Sequence, residues 1–271
     1  MIEIKETKCK NALSRSGIYG IDYSINPYIG CEHNCCYCFA RYMKKFSHSE
    51  KEWGEFVVVK KNIFDVFREE IKKVKSGSIL ISSVTDAYQP IEEKYEITRK
   101  ILEEFTKYDN FQINILTKSK LVMRDLDIIK KIKNIEIGFS FSVLSEDIKK
   151  IIEPHSSEIK ERLKALKILK ENEIKTYAML APILPILTEK DLEKLLECLK
   201  DVEVDYILVD RLNIKAGNWQ TIKESIAKID ERLIKQYEDI IFSQRNEYFI
   251  KIKEKIKEIC NNLLLSCYFC Y

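Results

Sequence analysis

The chain has 271 residues, 45% hydrophobic and 33% charged, which allows one sizeable core and excludes a disordered tract. With 46 basic against 43 acidic residues, its net charge of +3 neither demands a nucleic-acid partner nor excludes one. No apolar run reaches the ~18 residues of a membrane span, and nine Cys in so long a chain do not read as a secreted disulfide scaffold.

The start, Met1-Ile2-Glu3-Ile4-Lys5-Glu6, alternates apolar and charged residues and is neither a signal nor a transit peptide. It predicts a cytoplasmic protein with no membrane partner. Four of the nine Cys then crowd into residues 31–38, in the segment Asn26-Pro27-Tyr28-Ile29-Gly30-Cys31-Glu32-His33-Asn34-Cys35-Cys36-Tyr37-Cys38. Cys31, Cys35 and Cys38 have the spacing C-x3-C-x2-C. Three thiolates on a short loop can ligate three irons of a 4Fe-4S cubane and leave the fourth iron open, as a catalytic site requires. The alternative is structural zinc, with Cys36 or His33 as fourth ligand. Structural zinc usually joins two ligand pairs across a longer spacer, whereas all candidates here sit within one short loop. Cys36, next to Cys35, reads as a packed thiol pointing elsewhere.

Beyond this loop, apolar β-branched segments at residues 79–82, 111–116, 135–141, 175–180 and 206–209 read as strands. Residues 92–105, 125–132, 159–169 and 190–199 carry apolar residues at helical spacing. The alternation predicts a parallel sheet with helices outside, as an open doubly wound sheet or a barrel. Ser145 and Ser156 read as N-caps, and Thr188-Glu189-Lys190-Asp191 as a capping box. All five Pro fall outside the predicted element interiors. Past Gly217 the pattern turns wholly helical, over residues 222–233 and about 246–263. This predicts a first domain over residues 1–217 and a helical C-terminal extension over 218–271. The tail thiols Cys260, Cys267 and Cys270 read equally as an auxiliary iron–sulfur site with Cys9 or Cys198 contributing, a redox pair, or buried thiols.

In a parallel barrel, functional side chains lie where strands end. Thr85 and Asp86 follow the second main strand and Lys118 the third. Ser140 and Ser142 close the fourth, Pro182 follows the fifth, and Asp210 and Arg211 follow the sixth. The bland readings are a helix cap for Thr85 and Asp86, a surface lysine for Lys118, a strand hydroxyl for Ser142 and a sheet-closing salt bridge for Asp210 and Arg211. Glu153-Pro154-His155 reads as a helix-ending turn.

The Cys spacing, with aromatic Tyr37 before the last Cys, resembles the radical SAM superfamily. The surrounding words resemble its spore photoproduct lyase-like, or DNA repair photolyase-like, branch. They are Asn26-Pro27-Tyr28-x-Gly30-Cys31-x-His33-x-Cys35, Thr85-Asp86-Ala87-Tyr88-Gln89-Pro90-Ile91-Glu92 and Thr98-Arg99-Lys100-Ile101-Leu102-Glu103. Thr117-Lys118-Ser119, Arg124-Asp125-Leu126, Glu153-Pro154 and Ala181-Pro182-Ile183-x-Pro185 extend the resemblance over roughly residues 18–212. It implies an incomplete (β/α)6 barrel in which Cys31, Cys35 and Cys38 hold a 4Fe-4S cluster and S-adenosyl-L-methionine (SAM) fills the open iron. Reductive cleavage of SAM then yields an adenosyl radical that abstracts hydrogen from a substrate, which the sequence does not identify and which includes nucleic acid among its candidates. The electron implies a low-potential donor such as flavodoxin or ferredoxin. The resemblance further implies that Thr85-Asp86 receives the methionine amino group and that Lys118 and Ser140 meet its carboxylate or ribose. Ser142 and Tyr37 complete the candidate cofactor contacts. Two positions depart from the branch. Ser83 stands where lesion-repairing lyases carry a hydrogen-donating Cys, and Phe39 where they carry a Tyr. A serine O–H bond is too strong to quench a carbon radical, so at most slow, incomplete lesion repair is expected; a DNA lesion lyase and a non-catalytic iron–sulfur redox sensor are the alternative readings.

Overall fold

The computed structural model describes residues 2–215 and 217–271; Met1, which opens the alternating start, and Ala216 lie outside them. Glu3–Thr7 forms strand β1, half-buried and exposed by turns. Leu13–Arg15 (β2), Tyr23–Ile25 (β3), Tyr28–Ile29 (β4) and Phe56–Lys60 (β5) follow, then helix α1, Ile63–Ile71. The five predicted strands are Gly77–Ile81 (β6), Phe111–Thr117 (β7), Ile135–Phe141 (β8), Lys175–Ile183 (β9) and Tyr206–Arg211 (β10). Between them run α2 (Glu92–Tyr95), α3 (Ile97–Phe105), α4 (Leu126–Ile129), α5 (Glu146–Ile152), α6 (Ile159–Glu171) and α7 (Leu192–Asp201). The chain continues through α8 (Asn218–Ile229), α9 (Arg232–Glu238), α10 (Arg245–Asn262) and a last strand β11 (Cys267–Phe269).

Strands β3, β6, β7, β8, β9 and β10 lie side by side in that order, all parallel. This is the incomplete six-stranded β/α barrel. Strand β2 extends it antiparallel beside β3, and β11 extends it parallel beside β10. A second sheet, β1-β5-β4, carries the chain into the cysteine loop. Alternation sorts the two faces of β8: Ile137, Phe139 and Phe141 are fully buried in the core, while Gly138 and Ser140 face the concave side. A Cβ at Gly138 would lie 2.3 Å from the Tyr177 ring, so glycine alone lets that ring cross the concave face. Tyr177 stacks on Tyr206 at 5.2 Å. Tyr177 and Tyr206 are register partners near the starts of β9 and β10, and the Tyr177 hydroxyl donates to the Ile115 carbonyl on β7. No helix among the described residues is long and apolar enough to cross a membrane.

Several local expectations differ. The segment past Gly217 is not wholly helical, because β11 returns to the sheet. The expected helix over 92–105 breaks at Glu96 (φ 50°), where the Glu92 carboxylate accepts from the Thr98 amide and so caps α3. Ser145 caps α5 as expected, but Ser156 caps nothing. Glu158 and Glu161 form the capping box of α6 instead, while the Ser156 hydroxyl turns to Glu153. The Thr188 hydroxyl is taken by the Leu184 amide and the Ser142 carbonyl, so the expected box there does not form and α7 starts at Leu192. Pro182 lies within β9, which runs past the predicted end.

Candidate functional site

The cysteine loop leaves β4 at Gly30, whose φ is +90°; a Cβ there would lie 2.4 Å from the Phe56 carbonyl oxygen. Residues far apart in sequence then fix the loop. The Thr85 hydroxyl and the Gln89 amide both donate to the Gly30 carbonyl, at 2.7 and 3.2 Å. The Glu32 amide donates to Gln89 at 2.9 Å, and the Glu32 carboxylate accepts from the Ile91 amide. The Cys36 amide donates to the Ile152 carbonyl at the end of α5. From α8, Asn218 donates to the Tyr37 carbonyl and Thr221 to the Cys36 carbonyl, at 3.0 and 2.6 Å. The helical extension is thus a clamp on the loop.

Cys31 and Cys35 are buried and Cys38 is partly exposed. Burial is the main influence on all three and raises each thiol; Cys31 also feels charge on Cys38, and Cys35 feels charge on both others, which marks the three as neighbours. Cys36 has Ser225 as its hydrogen-bond partner, and burial pushes its thiol up to about 12. Among the described residues no three His, Cys, Asp or Glu side chains converge tightly enough for a single metal ion. A cubane asks for something else, since its three thiolates bind three different irons. The donor set fits such a cluster: three adjacent thiols that only metal charge would deprotonate in this burial. A buried indole N–H on Trp53, which finds no partner among the protein's oxygens and nitrogens, fits it as well.

Around the thiols the predicted residues divide. Lys118 follows β7, with Nζ 5.7 Å from the Tyr37 ring centre, and its charge reaches Cys35 and Cys38. Among the described residues no carboxylate pairs with it. Ser140 lies on the concave face, 4% exposed. Asp86 and Ser142 are spent on the protein itself. Asp86 accepts from the Lys118 and Tyr88 amides, the Thr117 hydroxyl and His33 Nδ1, at 2.8, 2.8, 2.7 and 3.3 Å. Burial pushes its carboxyl up, but His33 and these donors outweigh burial and hold it at about 2. Asp86 therefore fixes Lys118 and the His33 loop. Ser142 donates to the Ala181 carbonyl at 3.0 Å and meets the Tyr37 hydroxyl at 3.2 Å. Tyr37 donates to Glu153, which is 1% exposed and ion-paired with the equally buried Arg162. The turn reading of Glu153 is correct as to position, but its carboxylate is the centre of a buried network under the loop.

Asp210 and Arg211 form no salt bridge: the Asp210 carboxylate accepts from the Arg211 amide, and the guanidinium lies 5.6 Å from the Tyr271 ring centre. In the tail, the thiols of Cys260 and Cys267 meet, whereas Cys270 is exposed beside Asp210. The amide of Cys9 bonds Asn62, and Cys198 lies on α7. Gln89, Arg162, Asn218, Thr221 and Trp53 carried no site assignment in the sequence. Gln89 alone lies in a segment that carries the family resemblance, Thr85 to Glu92.

The family model described as the radical SAM superfamily matches residues 25–199. An uncharacterised protein of Methanocaldococcus jannaschii is 42% identical over 216 residues, 80% of each chain. A spore photoproduct lyase variant with bound AdoMet and dinucleoside spore photoproduct superposes with a TM-score of 0.75 at 15% identity, over 99% of this chain and 82% of that one. Streptococcus suis SuiB bound to S-adenosylmethionine gives a TM-score of 0.52 at 15% identity, over 79% of this chain and 47% of that one. At such identities the two structures speak to fold alone.

Proposed function

The chain belongs to the radical SAM superfamily, and on that premise we propose that Cys31, Cys35 and Cys38 hold a 4Fe-4S cluster whose open iron binds SAM. Such a cluster supplies the electron for reductive cleavage of SAM, and the adenosyl radical so released takes hydrogen from a substrate. The observation that carries this reading is the trio of neighbouring thiols on the clamped loop, with Cys36 engaged instead by Ser225. Lys118 offers an unpaired ammonium beside them for the SAM carboxylate. Asp86 and His33 position Lys118 and the loop, and the Tyr37–Glu153–Arg162 network holds the loop from below. A low-potential donor such as flavodoxin or ferredoxin provides the electron. Anaerobic reconstitution with iron and sulfide, then incubation with SAM and dithionite, is expected to yield 5′-deoxyadenosine. A reconstituted protein that leaves SAM intact would overturn the enzyme reading in favour of a redox sensor.

Lys118→Ala is expected to keep iron uptake and to weaken SAM binding at least tenfold, since a charged hydrogen bond contributes about 1.5–3 kcal/mol. Wild-type affinity in that variant refutes the contact. Asp86→Ala is expected to weaken SAM binding indirectly, by releasing Lys118.

A second reading, a lesion lyase acting on nucleic acid, is supported by the likeness to spore photoproduct lyase along 99% of the chain. Ser83 weighs against it. Its hydroxyl stands at the end of β6, bonded to Asn26 at 3.2 Å, and cannot serve as a hydrogen-atom donor. Reduced enzyme given a spore-photoproduct dinucleotide is expected to form 5′-deoxyadenosine with little restored thymidylyl-thymidine. Multiple-turnover repair would promote the second reading, and so would repair gained by Ser83→Cys.

A further inference from the structure

Trp53 is 3% exposed and lies in a small core of its own with Ile29, Cys31, Ala40, Phe56 and Val58. Cys38 packs against that core from the cysteine loop. The indole meets Phe56 edge-on, centroids 6.1 Å apart at 89°, which fixes the direction of its ring. Its turn is pressed onto the loop at the next residue. Gly54 has φ +96°, and a Cβ there would lie 2.2 Å from the Asn34 side chain, between the first two cysteines of the motif. A buried indole N–H usually has a hydrogen-bond partner. The Nε1–H of Trp53 finds no oxygen or nitrogen acceptor. In the protein alone no sulfur accepts it either, but Cys38 packs against the same small core, and Trp53 is among the donors that act on its sulfur. A neutral thiol is a poor acceptor and a thiolate a good one, so the indole is placed for the charged form.

We infer that Trp53 donates its N–H to the Cys38 sulfur of the bound cluster and thereby raises the potential at which that cluster accepts its electron. The inference rests on the cluster assignment proposed above. Its physical basis is a charge difference. A 4Fe-4S core of charge 2+ with three thiolates carries a net charge of −1, and one electron from the low-potential donor makes it −2. Part of the added charge sits on the sulfurs. A fixed N–H aimed at one of them stabilises the reduced state more than the oxidised one. Backbone amides act on the trio as well, those of His33 and Asp86 on Cys31 and that of Ala40 on Cys38. Trp53 is the side chain that supplies such a donor by shape alone, without a charge.

The test is a potentiometric titration of the reconstituted full chain, followed by the electron paramagnetic resonance of the reduced cluster. Wild type is compared with Trp53→Phe and with protein carrying 3-benzothienylalanine at position 53, which keeps the indole shape and replaces N–H by sulfur. Both are expected to hold about tenfold less reduced cluster at a given applied potential, a shift of about 59 mV downward for a one-electron couple. A midpoint equal to wild type in the benzothienyl protein overturns the inference, even if Trp53→Phe shifts, because packing or solvent access would then account for the shift. Failure of wild type to assemble any cluster overturns the assignment above, and this inference with it.

Discussion

Single replacement of Cys31, Cys35 or Cys38 by Ala is expected to abolish the brown four-iron absorption of reconstituted protein, and with it all 5′-deoxyadenosine formation. A cubane held by three thiolates has no redundancy on the protein side, and the fourth iron is already without a protein ligand. The adjacent Cys36 is the control. It lies in the main core against Ser225, with its backbone pinned by Ile152 and Thr221. Cys36→Ala is therefore expected to take up iron as wild type does, with a modest loss of stability from one shortened core side chain. If Cys36→Ala loses iron as completely as the other three, the division of the four thiols is wrong. A protein isolated with one tightly bound zinc and unable to take up iron would falsify the cluster itself.

The contrast between local and distant information governs what the sequence could tell. Strands β6 to β10 were legible because each is a parallel strand with most of its residues buried or half-buried, so it reads as a short apolar run between turns. Strands β3 and β11 were not, because three residues are too few for a pattern and β11 spends one of them on Cys267. The division of 92–105 into α2 and α3 left no Gly or Pro to mark it. Its cause is the Glu92 carboxylate, which accepts from Tyr28 and pairs with Arg124 while capping Thr98. Several words of the family resemblance turn out to be this one network: Arg99 and Arg124 both pair with Asp125, and Tyr88 donates to it. The words were correct signs of the family, but these side chains serve packing rather than chemistry. In the site, the cysteine spacing was readable because the three thiols share one loop. The clamps were not. Gln89, Asn218 and Thr221 reach the loop across 57 to 185 residues of chain, and nothing local distinguishes them from ordinary helix-cap or surface residues.

The largest effect on stability is expected at Arg162→Met. Arg162 and Glu153 are each 1% exposed. Besides the Glu153 carboxylate and the Ser156 hydroxyl, the guanidinium donates to the carbonyls of Ser140 and Ser157, at 2.8 and 3.0 Å. Its removal leaves a buried carboxylate with only hydroxyl donors. Breaking a buried ion pair from one side costs about 3–5 kcal/mol, which at about 2–4 °C per kcal/mol lowers the melting temperature by roughly 10 °C. Removing both charges, as Arg162→Met with Glu153→Gln, is expected to recover much of that loss, because no orphaned charge remains. The pH dependence separates charge from packing. Burial pushes the Glu153 carboxyl up, but Arg162, Lys118 and the Tyr37 hydroxyl outweigh it and hold it at about 2. An unfolded glutamate titrates near ~4.3. The wild-type pair thus contributes fully above about pH 5 and loses that contribution as the pH falls toward 2. In Arg162→Met the strongest opposing charge is gone and burial drives the carboxyl up, so protonation now relieves the folded state. The gap in melting temperature between wild type and variant is therefore expected to narrow from pH 7 toward pH 4. A gap that stays constant over that range assigns the loss to packing, and equal melting temperatures at pH 7 would show that the network under the cysteine loop carries no net stability.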